Sequence, residues 1–269
     1  MNSESASGTG NGFPHIPECR PDQPLVEGKY CVKFASTLEE YDAALRLRFE
    51  VFNLELGEGL ADSFESGKDQ DRYDPYFHHL IVEDTEEGQI VGTYRMQTWE
   101  MAESGAGFYS NDEFNLDDLP LDVRRGAVEI GRASVALAYR NRQVLFLLWK
   151  GLAQYLSFNR KRYFFGCCSI TSQDVMEGLA VHRHIEENGL AHPSLRVGCR
   201  PGFACEPEEG AGPFLGTAAI PPLFKLYLRY GSRVVSPPVL DREFKTIDWL
   251  VLFDFEDLAP HSRKLFFGY

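Results

Sequence analysis

Glu129 and Arg132 lie in the run Val128-Glu129-Ile130-Gly131-Arg132, inside a stretch that otherwise reads as an apolar central strand over 127–137. In a regular strand, residues three apart point to opposite faces, so these two charges would not cooperate. Gly131 changes that expectation. A glycine inside a strand often marks a bulge, and one inserted residue brings both side chains to the same side of the sheet. Two further arginines occupy positions where apolar residues cost less: Arg48 falls in the helical stripe Leu38, Tyr41, Leu45 and Phe52, and Arg95 shares a strand face with Val91 and Thr93. Buried charges need partners, and Asp71 and Asp74, in the polar stretch 57–76, are placed to supply them. Such a cluster marks a site rather than a stability device. Its chemistry would be proton transfer, with Glu129 accepting a proton from an attacking nucleophile while Arg132 and Arg95 orient it or bind an acidic group of the substrate.

The elements that must hold these groups follow from periodicity. Residues 30–35 alternate as a first strand, and Ser36 or Thr37 caps the helix that carries Arg48, with Glu39 and Glu40 in its first turn. The stretch 57–76, with Asp62, Asp69, Asp71 and Asp74, reads as an active-site loop. Strands over 79–83 and 89–97 form a hairpin about the turn 84–88. The central strand leads into a helix over 140–158 whose core face is Val144, Leu145, Leu148, Leu152 and Tyr155. A buried strand over 163–170, a helix over 173–188, a short aromatic helix over 223–230 and strands at 233–235 and 247–253 complete the order. This is an α/β fold, a mixed sheet with helices on both faces, in one domain over 29–269 behind a flexible leader, 1–28.

Composition narrows the class further. The 269 residues are 43% hydrophobic and carry a formal charge of -13, which argues against a nucleic-acid partner. The start lacks the pattern of a secretory signal, no stretch is apolar enough to span a membrane, and six cysteines occur without a C-x-x-C pair, so a cytoplasmic protein with reduced thiols is expected. Charge is uneven. Between Arg124 and Arg162 nine basic residues meet one acid, Glu129, and this basic belt would suit an anionic partner. His78 and His79, at a strand start, read as structural; His182 and His184, two apart on a helix, do not face each other, and no metal is expected. Packing is the expected role for Cys167, Cys168 and the aromatic helix.

The ordered text Arg48-Phe49-Glu50-Val51-Phe52, Asp71-x-x-Asp74, Gly92-Thr93-Tyr94-Arg95 and Glu129-x-x-Arg132 resembles the signature shared by acyl-homoserine-lactone synthases and acyl-carrier-protein-dependent amino acid N-acyltransferases. Phe108-Tyr109-Ser110-x-x-Glu113-Phe114, Leu148-Trp149-x-Gly151-Leu152-Ala153 and Gly166-Cys167-Cys168-Ser169 are similar to the ornithine-lipid N-acyltransferase and "hemolysin-like" branch. The resemblance covers about 32–253. It implies the fold of the GCN5-related N-acetyltransferases (GNAT), with a sheet that splays where the acyl thioester enters. It also implies transfer of a long, often 3-hydroxylated, acyl group from acyl carrier protein to the α-amine of an amino acid such as ornithine. Glu129, Arg132 and Arg95 would then be catalytic, and Arg48, Asp71 and Asp74 would order the loop over the substrate.

The donor has its own signal. Coenzyme A-dependent relatives place a glycine-rich turn after the central strand, where backbone N–H groups hold the pyrophosphate. Here the turn reads Tyr139-Arg140-Asn141-Arg142-Gln143-Val144, with no glycine before Gly151. Arg140 and Arg142 suit the single phosphate of a phosphopantetheine arm on an acidic carrier protein, and no separate cofactor is implied. Two alternatives remain: an acyl-homoserine-lactone synthase using S-adenosylmethionine, and a non-catalytic acyl-binding module. An amphiphilic product allows peripheral membrane contact without a spanning segment.

Overall fold

The computed structural model describes residues 19–140 and 142–268. Its strands are β1 (Leu25–Glu27), β2 (Tyr30–Phe34), β3 (His78–Asp84), β4 (Gln89–Thr98), β5 (Ala127–Val135), β6 (Tyr163–Ile170), β7 (Arg233–Val234), β8 (Val239–Asp241) and β9 (Thr246–Asp254). Its helices are α1 (Leu38–Phe49), α2 (Ser63–Ser66), α3 (Trp99–Ser104), α4 (Leu121–Arg125), α5 (Gln143–Phe158), α6 (Val175–Glu187), α7 (Pro222–Arg229) and α8 (Pro260–Phe267). The strands form one mixed sheet in the order β1-β2-β3-β4-β5-β6-β9-β7, with β8 also paired to β9. The expected α/β architecture is the observed one. Its start differs, because β1 pairs antiparallel with β2, so the fold begins within the segment expected to be a leader. Residues 1–18 of that segment lie outside the described residues.

Thr37 is the cap of α1. Its hydroxyl accepts from Glu40 N at 3.2 Å while Glu40 Oε2 accepts from Thr37 N, a reciprocal pair that satisfies two end donors. The apolar stripe expected to run on to Phe52 is split, since α1 passes after Phe49 into a π-helical turn, Glu50–Glu55.

The pairing registers Ile81↔Thr93, His79↔Arg95 and Gln97↔Glu129 put all six side chains on the face covered by α1. Leu80, Tyr94, Met96, Val128 and Ile130 point the other way, into the core beneath α5. Val91 sits at a bulge between Ile90 and Gly92 and packs into that core, so it does not share the face of Thr93 and Arg95. Glycine lets α5 lie close: a Cβ on Gly151 would stand 2.7 Å from Leu80 Cδ2.

The sheet divides at its centre. β5 and β6 run parallel and pair only at Ala127↔Tyr163, Val128↔Phe164 and Glu129↔Phe165. Beyond Glu129, β5 stays with β4 out to Val135, while β6 stays with β9 out to Ile170. Gly166 sits at the parting point, where a Cβ would stand 2.1 Å from Ile130 O. Only glycine fits there. Gly166→Ala should therefore lower unfolding free energy by roughly 1–3 kcal/mol, the usual range for overpacking, in urea titration; wild-type stability would show that β5 yields without cost.

Candidate active site

Three guanidinium groups meet three carboxylates on the α1 face of the sheet. Arg48 Nε donates to Asp69 Oδ2 at 2.7 Å, and its Nη1 and Nη2 donate to Asp74 at 2.7 and 3.2 Å. Arg95 Nη1 donates to Asp71 Oδ1 at 2.7 Å and Asp74 Oδ1 at 2.9 Å. Arg132 Nη2 donates to Asp71 Oδ2 at 3.2 Å, and its Nε stands 3.3 Å from Asp69 Oδ2. The six charges cancel, which is what permits their burial. Burial alone would raise the carboxyl of Asp74, yet Arg48 and Arg95 hold it far below the usual range; Asp71 is lowered in the same way by Arg95. Asp71 Oδ1 also accepts from Tyr73 N and Asp74 N, so the network fixes the loop that supplies the acids.

The expected bulge exists, one residue later than expected. Thr93 pairs with Ser134 and Arg95 with Gly131, leaving the extra residue on β5, and Arg132 rather than Gly131 takes the left-handed conformation, φ 52°. That conformation costs a non-glycine residue about 1–2 kcal/mol. The aspartates offset it by holding the guanidinium, which also lies 4.2 Å from the Phe244 ring centroid.

Glu129 and Arg132 consequently share a face, but they do not touch. Glu129 Oε1 accepts from Ser110 N and Ser110 Oγ, both at 2.7 Å. Its Oε2 accepts from Gln97 Nε2 at 2.8 Å and Tyr109 N at 3.0 Å. Four donors fill the lone-pair positions of the carboxylate. The expectation that Arg132 and Arg95 orient Glu129 is thus corrected: Gln97, Tyr109 and Ser110 do so, with Tyr109 standing between Glu129 and Arg132. Burial raises the Glu129 carboxyl, against these donors, which lower it.

The parted strands enclose a cavity of about 360 Å³. It runs between Ile130–Ala133 of β5 and Gly166–Ser169 of β6. One end is polar, walled by Glu58, Arg95, Tyr109, Glu129, Arg132 and Asp248; the other is apolar, walled by Trp149, Leu152, Phe164, Tyr227, Tyr230 and Phe266. Such a passage accepts a molecule with a long apolar tail and a reactive head at the level of Glu129.

Residues 47–150 match the acetyltransferase (GNAT) domain model. The chain is 31% identical over 244 residues to the L-ornithine N(alpha)-acyltransferase of Brucella abortus (strain 2308), covering 86% of each protein. It is 32% identical over 238 residues to the L-ornithine N(alpha)-acyltransferase of Rhizobium meliloti (strain 1021), covering 82% of this chain and 78% of that one. The chain belongs to the L-ornithine N(alpha)-acyltransferase family. It is an acyltransferase of GNAT fold. Among solved structures, the AHL synthase LasI aligns at 11% identity and a TM-score of 0.46, covering 89% of this chain and 95% of its own.

Other sequence expectations fare unevenly on this acyltransferase fold. The basic belt is largely neutralised. Arg124 pairs with Asp117, Lys150 with Glu27, Lys161 with Glu100 and Arg162 with Asp254, while Arg132 is buried in the network. Arg140, expected to meet a donor phosphate, instead donates to Glu55 and, at 3.0 Å, to Val135 O. Arg142, beside α5, is exposed and has no ion pair among the described residues; Asn141 lies outside them. The histidines are structural: His78 Nδ1 lies 2.9 Å from Tyr155 OH, and burial pushes His79 down to about 4. Burial likewise holds the Cys167 and Cys168 thiols protonated, which disfavours a covalent role. Leu223, Phe224 and Tyr227 of α7 line the cavity, beyond the packing expected of that helix.

Sequence reasoning placed Asp69 in the active-site loop without a partner, and missed Gln97, Glu58 and Asp248 altogether. No helix among the described residues is long and apolar enough to cross a membrane.

Asp74→Asn leaves Arg48 and Arg95 facing an uncharged amide and should cost about 3–5 kcal/mol of unfolding free energy at pH 7, the loss typical when one partner of a buried pair is removed. The depressed carboxyls of Asp71 and Asp74 contribute stability that is present above the unfolded value near 4 and lost as pH falls below it. His79 adds to the acid loss between about 6.5 and 4, where only the unfolded chain binds the proton. Urea titrations from pH 7 to 3 should therefore show falling stability, more shallowly in Asp74→Asn; equal slopes would contradict the assignment.

Proposed function

We propose that this chain transfers a long acyl group from the phosphopantetheine thioester of an acyl carrier protein to the α-amine of L-ornithine. The observation that carries the reading is the cavity through the splayed sheet, which joins an aromatic-walled tail site to a carboxylate-rich head site beside Glu129. The names of the relatives support ornithine as acceptor. The glycine-free turn before α5 and the exposed Arg142, which has no ion pair among the described residues, support a donor with one phosphate rather than a pyrophosphate.

In this reading the acyl chain lies among Trp149, Leu152, Phe164 and Tyr227, with its carbonyl at the parting of β5 and β6. Arg132 takes the acceptor carboxylate through Nη1, whose one hydrogen bond is a long 3.4 Å contact to Tyr109 OH, while Nε and Nη2 stay with Asp69 and Asp71. The neutral α-amine attacks the thioester carbonyl, the N–C bond forms and the C–S bond breaks. The amine proton passes to the Ser110 hydroxyl, whose own proton moves to Glu129 Oε1, and the same path then returns a proton to the leaving thiolate, which departs as free thiol and leaves Glu129 ionised again. Ser110 serves as the relay because Glu129 has no open lone pair.

Thiol release from acyl carrier thioester with L-ornithine tests the reading. Glu129→Gln should lower kcat by roughly 100-fold or more, the usual worth of a positioned base, with little change in KM for the donor. Wild-type turnover in that variant would remove Glu129 from the proton path. Acyl coenzyme A should be the poorer donor in kcat/KM, and parity would defeat the carrier-protein assignment. A lactone product formed with S-adenosylmethionine, and none with ornithine, would favour homoserine-lactone synthesis.

A further inference from the structure

Behind the polar end of the cavity lie two carboxylates that the proton path does not use. Asp248 of β9 lines the cavity beside Cys167, and Glu113 lies next to both, the ligand-type atoms of Glu113, Cys167 and Asp248 all falling within 4.8 Å of one another. Both acids are buried, with 2% of Glu113 and 4% of Asp248 exposed. Glu113 Oε2 and Asp248 Oδ1 have no hydrogen-bond partner, and neither residue is in an ion pair among the described residues. The neighbouring acids are occupied: Asp241 Oδ1 accepts from Glu243 N and Phe244 N, and Glu58 accepts from the Thr171 hydroxyl. Arg132, the guanidinium nearest in charge to Glu113, is held by Asp71.

Two buried carboxylates this close repel one another, and each holds a proton more readily than an exposed acid. Burial, with Asp241 beside it, pushes Asp248 up to about 6; burial, with Asp248 and Asp241, pushes Glu113 well above the usual range. A cation that replaced those protons would be held by both oxygens at once.

Resting on the function proposed above, we propose that Glu113 and Asp248 seat the side-chain ammonium of the acceptor, so that the site selects an amino acid with a second amine on a short methylene chain. The seat adjoins the proton path. Cys167 Sγ lies 3.6 Å from Ser110 Oγ, which lies 2.7 Å from Glu129 Oε1. One serine and one cysteine thus separate the ammonium seat from the accepting carboxylate, a short span of the kind that the α-carbon and three methylenes bridge between the two nitrogens of ornithine. An ammonium held between carboxylates keeps its proton and is not nucleophilic, so the amide forms at the α-nitrogen.

The test compares L-ornithine with L-norvaline, which has the same carbon chain without the second amine, as acceptors for the full-length wild type, Glu113→Gln and Asp248→Asn. Wild type should favour ornithine in kcat/KM by roughly 10- to 100-fold, the worth of a hydrogen bond to a charged group. Each variant should raise KM for ornithine by a similar factor, move the ratio toward one and leave KM for the acyl donor unchanged, with partial recovery in Asp248→Glu. A wild-type ratio retained in both variants overturns the seat, as does equal use of the two acceptors by wild type or a stoichiometric metal ion in the active protein. Acylation of neither acceptor by wild type defeats the proposed function itself. Should the variants fail to fold, calorimetry on wild type decides: tighter binding of ornithine than norvaline, with proton release specific to ornithine, supports the seat, and equal binding overturns it.

Discussion

The buried network of Arg48, Arg95 and Arg132 with Asp69, Asp71 and Asp74 is the interaction on which the rest of the structure depends. It is neutral overall, and each guanidinium comes from a different element: α1, β4 and the bulge of β5. The three acids come from one loop, so the network pins that loop across the sheet and holds α1 against it. It also sustains the left-handed Arg132, and with it the bulge that turns β5 away from β6. Buried ion pairs are weak devices for stability alone, because desolvation offsets most of the attraction. Here the pairing fixes a geometry that apolar packing would leave free, namely a strand bent at the mouth of a cavity.

Glu129 fixes the other side of that mouth. Its four accepted hydrogen bonds tie Gln97 of β4 to the Tyr109–Ser110 segment, and Tyr109 in turn packs against both Arg95 and Arg132. The splay then follows from two local facts. β5 and β6 lose their pairing after Glu129, and the bulge at Arg132 carries β5 on with β4 just past the point where Gly166 still lies against Ile130. An acyl tail and a polar head can approach from opposite faces of the sheet only where it opens in this way.

Much of this was legible in the sequence. Alternation and helical stripes gave the order of elements, and charges inside apolar patterns gave Arg48, Arg95, Glu129 and Arg132, because a buried charge violates the pattern around it. The glycine at 131 announced the bulge, though the strained position fell on Arg132, where aspartates compensate for the missing freedom of a glycine. What sequence could not show is partnership across long separations. Arg140 looked like a phosphate ligand until Glu55, 85 residues away, proved to hold it. Asp248 sits on a strand that the sequence does reveal and Glu113 closes a short turn that it does not, and only tertiary folding places them beside Cys167. Glu113 was visible as part of a motif, without a role. Gln97 was hidden because an uncharged polar residue near the end of an alternating strand violates no pattern, although β4 is buried there.

The central claim is that the opened sheet joins an acyl thioester to the α-amine of a diamino acid. Tandem mass spectrometry of the product from acyl carrier thioester and L-ornithine tests it most directly. The account predicts a single amide on the α-nitrogen with the side-chain amine free; an amide on the side-chain nitrogen, or no ornithine adduct at all, would contradict it.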